Sequence, residues 1–346
     1  MKLRSCTLMP MKSNVSNGKQ PKVSLILPVY NAEKYIEETF GMIEKQTYNN
    51  LKIIVVDDGS VDNSLNILKK ITYNKNNVVI LEKKNGGLSS ARNYGLQYVD
   101  TEYVTFVDSD DYIDIDYVET LIKPFMVDDN VAISAVKYFR TSTYSADHFT
   151  NIKDTEFLKR NLGLNKFLLQ SKGYDVSTWA KMYRFSLFEE ISFLDGITYE
   201  DFEIIPKLFS KIKESDLIAF IDAVKYQYIR TPNSIITADF KKRDLDILSI
   251  VSEGFPFTER KLPENRDAYL AKAIAGTFSV YRKAIRSGAN EDSINLIYKK
   301  LKWLLGKINY KNKLTKKEIV AYIALFFGKK VSIPIVQLLS KLLREG

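Results

Sequence analysis

Short apolar runs, each ending in polar residues and followed by an amphipathic stretch, constrain this chain to an α/β fold. Residues 23–29 (VSLILPV), 52–56 (KIIVV), 78–81 and 103–107 (YVTFV) are aliphatic and β-branched almost throughout, as strands covered on both faces are. Between them apolar residues recur at helical spacing: Tyr35, Ile36, Phe40 and Ile43 within 33–46, then Leu65, Ile67, Leu68 and Ile71 within 62–71. Further helices are expected over 89–98 and around 117–127, and a further strand over 131–138. Strands alternating with helices imply right-handed crossovers and a mostly parallel sheet. Most of that sheet is expected to be built by about residue 140. A second region follows, with segments 179–184, 198–201 and 223–229, and from about 239 the pattern turns wholly helical, with Pro263 separating two helices and Gly288 ending another.

Composition narrows the chemistry. The single cysteine, Cys6, leaves no disulfide within the chain, which fits a reducing compartment. The single histidine, His148, removes multi-histidine zinc sites and argues against a Ser-His-Asp triad. The formal charge of +9 is concentrated at one end: from Leu296 to Gly346 there are twelve Lys/Arg against two acids. The remainder is close to neutral, which argues against a nucleic-acid-binding protein. In the basic segment Ile335, Val336, Leu338, Leu339, Leu342 and Leu343 repeat at helical spacing after Pro334, and 319–327 is another apolar run. Such helices suit either an anionic membrane surface or the protein's own core. The first twenty or so residues are polar without an apolar central region, so they read as a disordered leader, with Met9 or Met11 as alternative starts, rather than a signal peptide.

Carboxylates gather just past the strands. Asp108-Ser109-Asp110-Asp111 follows the run 103–107, where open α/β sheets hold ligands. Clustered carboxylates repel, so a hard divalent cation bridging to phosphate oxygens is the natural counter-charge. Two other D-x-D triplets exist, Asp114-Ile-Asp116 and Asp244-Leu-Asp246, but only the first directly follows a mid-sheet strand. Asp57-Asp58-Gly59-Ser60 ends the second strand and suits either a base or ribose contact or a glycine turn that caps a helix. Asn85-Gly86-Gly87 opens the third helix, where backbone can approach an anion, and Arg92 in its first turns could reach a diphosphate or lie on a solvated face. The first strand ends in Pro28-Val29-Tyr30-Asn31, a nucleobase contact or a plain strand-to-helix turn. Neither a dinucleotide fingerprint nor a phosphate-binding P-loop motif is present. Glu200 and Asp201 begin a helix with Ile204, Ile205, Leu208 and Phe209 on its apolar side, so they either complement its dipole or serve as a general base.

Taken in order, VSLILPVYNAEKYI, IIVVDDGSVDNS, NGGLSSARNYGL, YVTFVDSDDYI, WAKMYRFSLF, YEDFEI and YQYIRTPNSIIT resemble the family 2 glycosyltransferases of bacterial glycan assembly, which have the GT-A fold. The resemblance spans roughly residues 21–237. It implies an α/β fold with a mostly parallel, Rossmann-like sheet flanked by helices, and a helical C-terminal extension. The organisation expected is a leader over 1–21, a catalytic domain over 22–238 (nucleotide-binding half 22–140, acceptor half 141–238), and a helical region over 239–346. By the same resemblance Pro28, Val29, Tyr30 and Asn31 line the base pocket, and Asp58 bonds the base with Asp57 in support. Asn85 and Arg92 lie near ribose and diphosphate, and Asp108, Ser109 and Asp110 form the D-x-D, Asp110 being the better metal contact and Asp108 the second. Asp201 is the catalytic base with Glu200 as alternate, and Trp179 and Lys181 face the sugar or acceptor. His148 is not assigned to the metal site, as it lies in the irregular segment 141–150. The implied reaction is inverting, Mg²⁺- or Mn²⁺-dependent transfer of a hexosyl or related group from a nucleoside diphosphate sugar, UDP-sugar favoured, to a glycan or lipid-linked acceptor. It implies a cytoplasmic site, and the basic C-terminal segment offers, as the alternative to packing on the core, a peripheral position on the inner face of the membrane. The competing readings are a nucleotidyltransferase of related fold and a non-catalytic nucleotide-sugar-binding module.

Overall fold

The computed structural model describes residues 20–230 and 239–309, with positions 319, 325, 328, 333 and 334 beyond them. The expected leader, all but its last two residues, and most of the basic apolar segment after 309 lie outside the described residues.

The strands are β1 (Val23–Val29), β2 (Leu51–Asp57), β3 (Val78–Glu82), β4 (Tyr103–Phe106), β5 (Tyr112–Ile113), β6 (Val131–Thr141), β7 (Thr155–Lys159), β8 (Lys181–Arg184) and β9 (Leu217–Ile229). The α-helices are α1 (Ile36–Glu44), α2 (Ser64–Ile71), α3 (Leu88–Leu96), α4 (Tyr117–Val127), α5 (Arg160–Leu168), α6 (Glu200–Lys211), α7 (Asp246–Lys261), α8 (Arg266–Arg286) and α9 (Glu291–Leu305). All strands join one mixed sheet of order β3-β2-β1-β4-β8-β6-β9-β5, with β7 also on β9. The first four are parallel, as the alternation predicts; β8 lies antiparallel between β4 and β6, and β6 pairs parallel to β9.

Six of the nine strands among the described residues, β1 to β6, are in place by about residue 140, as expected. β7, β8 and β9 all come later, and β8 sits at the centre, so the two expected halves interleave in one sheet. β9, which begins at Leu217, takes in residues 223–229 of the second region.

Alternate residues of β1 serve opposite cores. Leu25 and Leu27 pack with Phe40, Ile43 and Leu121 on one face. Ile26 packs with Phe106, Phe202, Ile205 and, farther along the same core, Ile274 and Leu301 on the other. α7, α8 and α9 therefore share a core with the sheet rather than forming a separate body.

Register fixes where the polar loops fall. Val29 pairs with Asp57, and Ile26 with Phe106. The loops after β1, β2 and β4 thus emerge side by side at the carboxyl edge of the parallel strands, where such sheets place ligands.

Candidate active site

The loop after β2 is laced to its neighbours by backbone bonds. Asp58 accepts from the amides of Gly86 (3.0 Å) and Gly87 (2.7 Å) and from Lys83 Nζ (2.6 Å), while Asn85 Nδ2 donates to its carbonyl (3.0 Å). Gly59 has φ +71°, and a Cβ there would sit 2.8 Å from the Asn85 amide nitrogen, so only glycine fits. Asn31, also left-handed at φ 49°, accepts from the Val61 amide (2.9 Å). Asp57 takes the Ser60 amide on Oδ2 (3.2 Å), and its buried Oδ1 has no partner. Pro28 and Val29 complete β1, and the Tyr30 ring is half exposed beside this edge.

Arg92 ties this region to the rest. It is fully buried, not on a solvated helix face. One terminal nitrogen reaches Asp108 (2.9 Å), and the other reaches Glu200 (3.0 Å) and Asp201 (3.3 Å). The planar guanidinium permits this, because its fork offers several donors in fixed directions. Burial alone would lower its pKa, but Asp108, Asp201 and Glu200 together raise it. The first turns of α3 thus join the D-x-D loop to the start of α6, more than 100 residues away. Both terminal nitrogens of Arg92 are thus taken by carboxylates.

The D-x-D carboxylates differ in environment. Burial, then Asp108, pushes Asp110 up to about 6. Ser109 accepts from Thr39 through its carbonyl (3.1 Å). Asp111, adjacent but not among the expected site residues, is buried and bonds Tyr226 Oη (2.7 Å) and the Ile229 amide (2.9 Å). Its pKa is raised well above the usual range by burial, then Asp110 and Asp108. The other two D-x-D triplets have structural partners: Asp114 and Asp116 hold Lys225, and Asp244 holds Lys283.

Asp201 stands in the first turn of α6, whose preceding residue, Tyr199, is left-handed at φ 70°. Thr178 donates to Asp201 Oδ1 (2.7 Å). Burial, then Glu200, lifts Asp201 to about 7, against the lowering by Arg92 and Thr178. Its side chain keeps about a fifth of its surface exposed, into a cavity of about 420 Å³ that Trp179 also lines.

Lys181 does not face that cavity. Its ammonium is buried and donates to the carbonyl of Ser177 (2.6 Å), bracing the loop that carries Thr178 and Trp179; burial lowers it to about 8. His148 packs against Phe139 (4.2 Å between centroids, rings tilted) and meets the Gln227 side chain (3.4 Å). Sequence reading passed over Thr178 and Asp111; only Asp111 had a signal, as the fourth residue of the acidic run.

The expected carboxylates therefore fall into two linked groups. Asp108, Glu200 and Asp201 meet on Arg92, and Asp58 meets the loop that begins the same helix. Asp110 and Asp108 are the carboxylates of this loop that a hard cation would use, though Asp108 is already paired with Arg92 and, among the described residues, no group of three or more His, Cys, Asp or Glu is placed to hold a metal ion.

Residues 24–192 match the family described as glycosyl transferase family 2. Glycosyltransferase GlyA of Streptococcus pneumoniae is 34% identical over 60% of this chain and 30% of its own length. The chain thus spans under a third of that relative. Staphylococcus aureus TarS 1–349, solved with UDP-GlcNAc, superposes with TM-score 0.52 over 88% of this chain and 90% of its own, at 21% identity. The mannosyltransferase PcManGT of Pyrobaculum calidifontis, solved with GDP-Man and Mn²⁺, gives TM-score 0.53 over 91% and 90%, at 15% identity. The residues between 24 and 192 are a family 2 glycosyltransferase domain, and the chain has the GT-A fold with added C-terminal helices.

Proposed function

We propose that the protein is an inverting glycosyltransferase that moves a hexosyl or related group from a nucleoside diphosphate sugar to an acceptor hydroxyl in bacterial glycan assembly. The observation that carries this is the Arg92 cluster, which holds an acidic residue of the D-x-D and a raised carboxylate, Asp201, in one site. UDP is the favoured nucleotide, given the UDP-GlcNAc solved with the TarS fold relative.

Asp201 takes the proton of the acceptor hydroxyl as its oxygen bonds to the anomeric carbon. The bond from that carbon to the diphosphate oxygen breaks on the opposite face. A carboxylate with a pKa near 7 suits this role, because proton transfer is best served near the working pH. Thr178 and Arg92 fix its orientation. Asp110 and Asp108 would hold Mg²⁺ or Mn²⁺, which when bound neutralises charge on the leaving diphosphate. Tyr30, Asn31 and the Asp57–Asp58 turn receive the base, and the 85–87 backbone faces the ribose and diphosphate.

Asp201→Asn should reduce turnover by about 10²–10⁴-fold, the usual contribution of a general base, while UDP affinity in Mn²⁺ stays near wild type. Wild-type kcat/KM should rise with pH through about 7 and then level. Wild-type turnover in the variant removes Asp201 from the role. The basic segment from Leu296 onward is proposed to seat the enzyme on an anionic leaflet. Flotation with anionic liposomes should recover the full chain and not one ending before Asn312; equal recovery of both rejects that surface.

A further inference from the structure

Tyr226 touches both halves of the site. It stands in β9, which pairs with β5, β6 and β7, and it is fully buried. Its hydroxyl donates to Asp111 Oδ2 (2.7 Å) and accepts from the Asp108 amide (3.2 Å). The other Asp111 oxygen accepts from the Ile229 amide (2.9 Å), so the D-x-D turn is fastened to β9 at two residues of that strand. The Tyr226 ring lies within 10° of parallel to the Trp179 indole, with centroids 4.6 Å apart, and Tyr228 lies parallel to the same indole at 5.6 Å. Trp179 directly follows Thr178, which donates to Asp201 (2.7 Å). The contacts close a circuit: Tyr226 to Asp108, Asp108 to Arg92, Arg92 to Asp201, Asp201 to Thr178, and Trp179 back to Tyr226.

We propose that Tyr226 is a positioning residue for transfer, and that it sets the spacing between the D-x-D turn and Asp201. This rests on the reading of Asp201 as the base and of the D-x-D turn as the donor side. Arg92 alone does not set that spacing. It grips only the carboxylate of Asp108, and the side-chain torsions of Asp108 leave the backbone of the turn free to swing about that grip. The Tyr226 hydroxyl pins the backbone itself, while the Tyr226 ring seats the segment that carries Thr178. Both halves are thereby referred to one strand inside the sheet, and groups held by rigid elements keep their geometry better than groups held by loops. Packing does not call for the hydroxyl, because phenylalanine offers the same ring. A buried hydroxyl is costly unless its bonds are made, so what this atom contributes is its two bonds to the turn.

The test uses the full chain. Tyr226→Phe keeps the ring and removes the hydroxyl. Tyr48→Phe is the control, because it also removes a buried hydroxyl bond, from Tyr48 to the Pro21 carbonyl, at a residue outside the circuit. Both variants should melt at a lower temperature than wild type. Turnover is read as nucleoside diphosphate release from a panel of UDP- and GDP-sugars in Mn²⁺. At saturating donor Tyr226→Phe should lower kcat by roughly ten- to a hundredfold, the upper figure being the scale of a 1 Å misplacement. Calorimetric UDP affinity should stay within about threefold of wild type, since a positioning loss falls on kcat. Tyr48→Phe should keep the wild-type kcat. Hydrogen exchange read by mass spectrometry follows the coupling without turnover. Tyr226→Phe should speed exchange in peptides holding 108–111 and in those holding 178–179 together, and Tyr48→Phe in neither. A wild-type kcat in Tyr226→Phe, or faster exchange at 108–111 alone, overturns the positioning role. If Asp201→Asn turns over normally, or wild type releases no nucleotide from any sugar, the underlying enzymatic reading fails, and exchange still decides whether Tyr226 couples the two segments.

Discussion

Arg92 shows how far a single residue's role can lie from its local appearance. In sequence it is one arginine near the start of an amphipathic helix, where solvent exposure is the ordinary outcome. In the fold it is wholly buried, faces Phe193 at 5.4 Å, and joins three carboxylates from two distant loops. Its charge cannot be removed cheaply, because breaking a buried ion pair costs about 3–5 kcal/mol. Lysine would keep the charge and lose the fork. Arg92→Lys should therefore lose stability by about 2–4 kcal/mol in urea titration, and it should lower kcat more than it weakens UDP binding, because Asp201 is no longer oriented. A lysine variant equal to wild type in both measurements would show that charge alone suffices. The sequence could assign Arg92 to the start of α3, but not foresee that α6 returns to meet it.

At the level of elements, the start of α6 is the part under most constraint. Tyr199 adopts a left-handed conformation that a bulky side chain rarely takes, at a cost on the order of 1–3 kcal/mol. The segment just before α7 and its first residue hold it there: Asp246 accepts from the Thr198 amide (2.8 Å), and Asp244, itself paired with Lys283, lies 3.5 Å from Tyr199 Oη. A D-x-D that looked like a rival metal motif is thus a clamp on the turn that carries Asp201. Asp246→Ala should destabilise the protein by about 1–3 kcal/mol, the cost of a buried amide left unpaired. It should also reduce kcat with little change in donor affinity, since the donor loops stand on other strands. Unaltered kcat with the full stability loss would leave Asp246 a structural role only. The parallel strands were legible because each is a continuous apolar run. β8 was not legible as a central strand, because it spans four residues with Lys181 and Arg184 at its ends. Its place between β4 and β6 is settled by long-range pairing alone.

For the whole molecule, the site's carboxylates leave a mark on stability. Asp110 is raised to about 6, Asp201 to about 7, and Asp111 well above the ordinary range. The native state therefore holds protons that the unfolded chain releases above about 3.9. That stabilisation is complete below the unfolded value and is lost as pH rises through 6 and 7. Without nucleotide or divalent cation, the melting temperature should fall between pH 5 and pH 8 in scanning fluorimetry. Asp201→Asn, which fixes the neutral form, should flatten that slope. A melting temperature that is level or rising across this range would contradict the burial of these groups.

The sequence by itself determined the α/β alternation, the carboxyl-edge position of the loops after β1, β2 and β4, and the family likeness of residues 24–192, because strand runs, glycine turns and acidic clusters are local patterns. It also marked Asp108, Asp110 and Asp201 as residues of interest. Only the tertiary structure decided that Arg92 joins them, that Lys181 turns inward to brace a loop, and that α8 closes the cavity beside Asp201. Those outcomes depend on contacts between segments tens to more than a hundred residues apart, and local periodicity carries no information about which distant partner a buried charge will find.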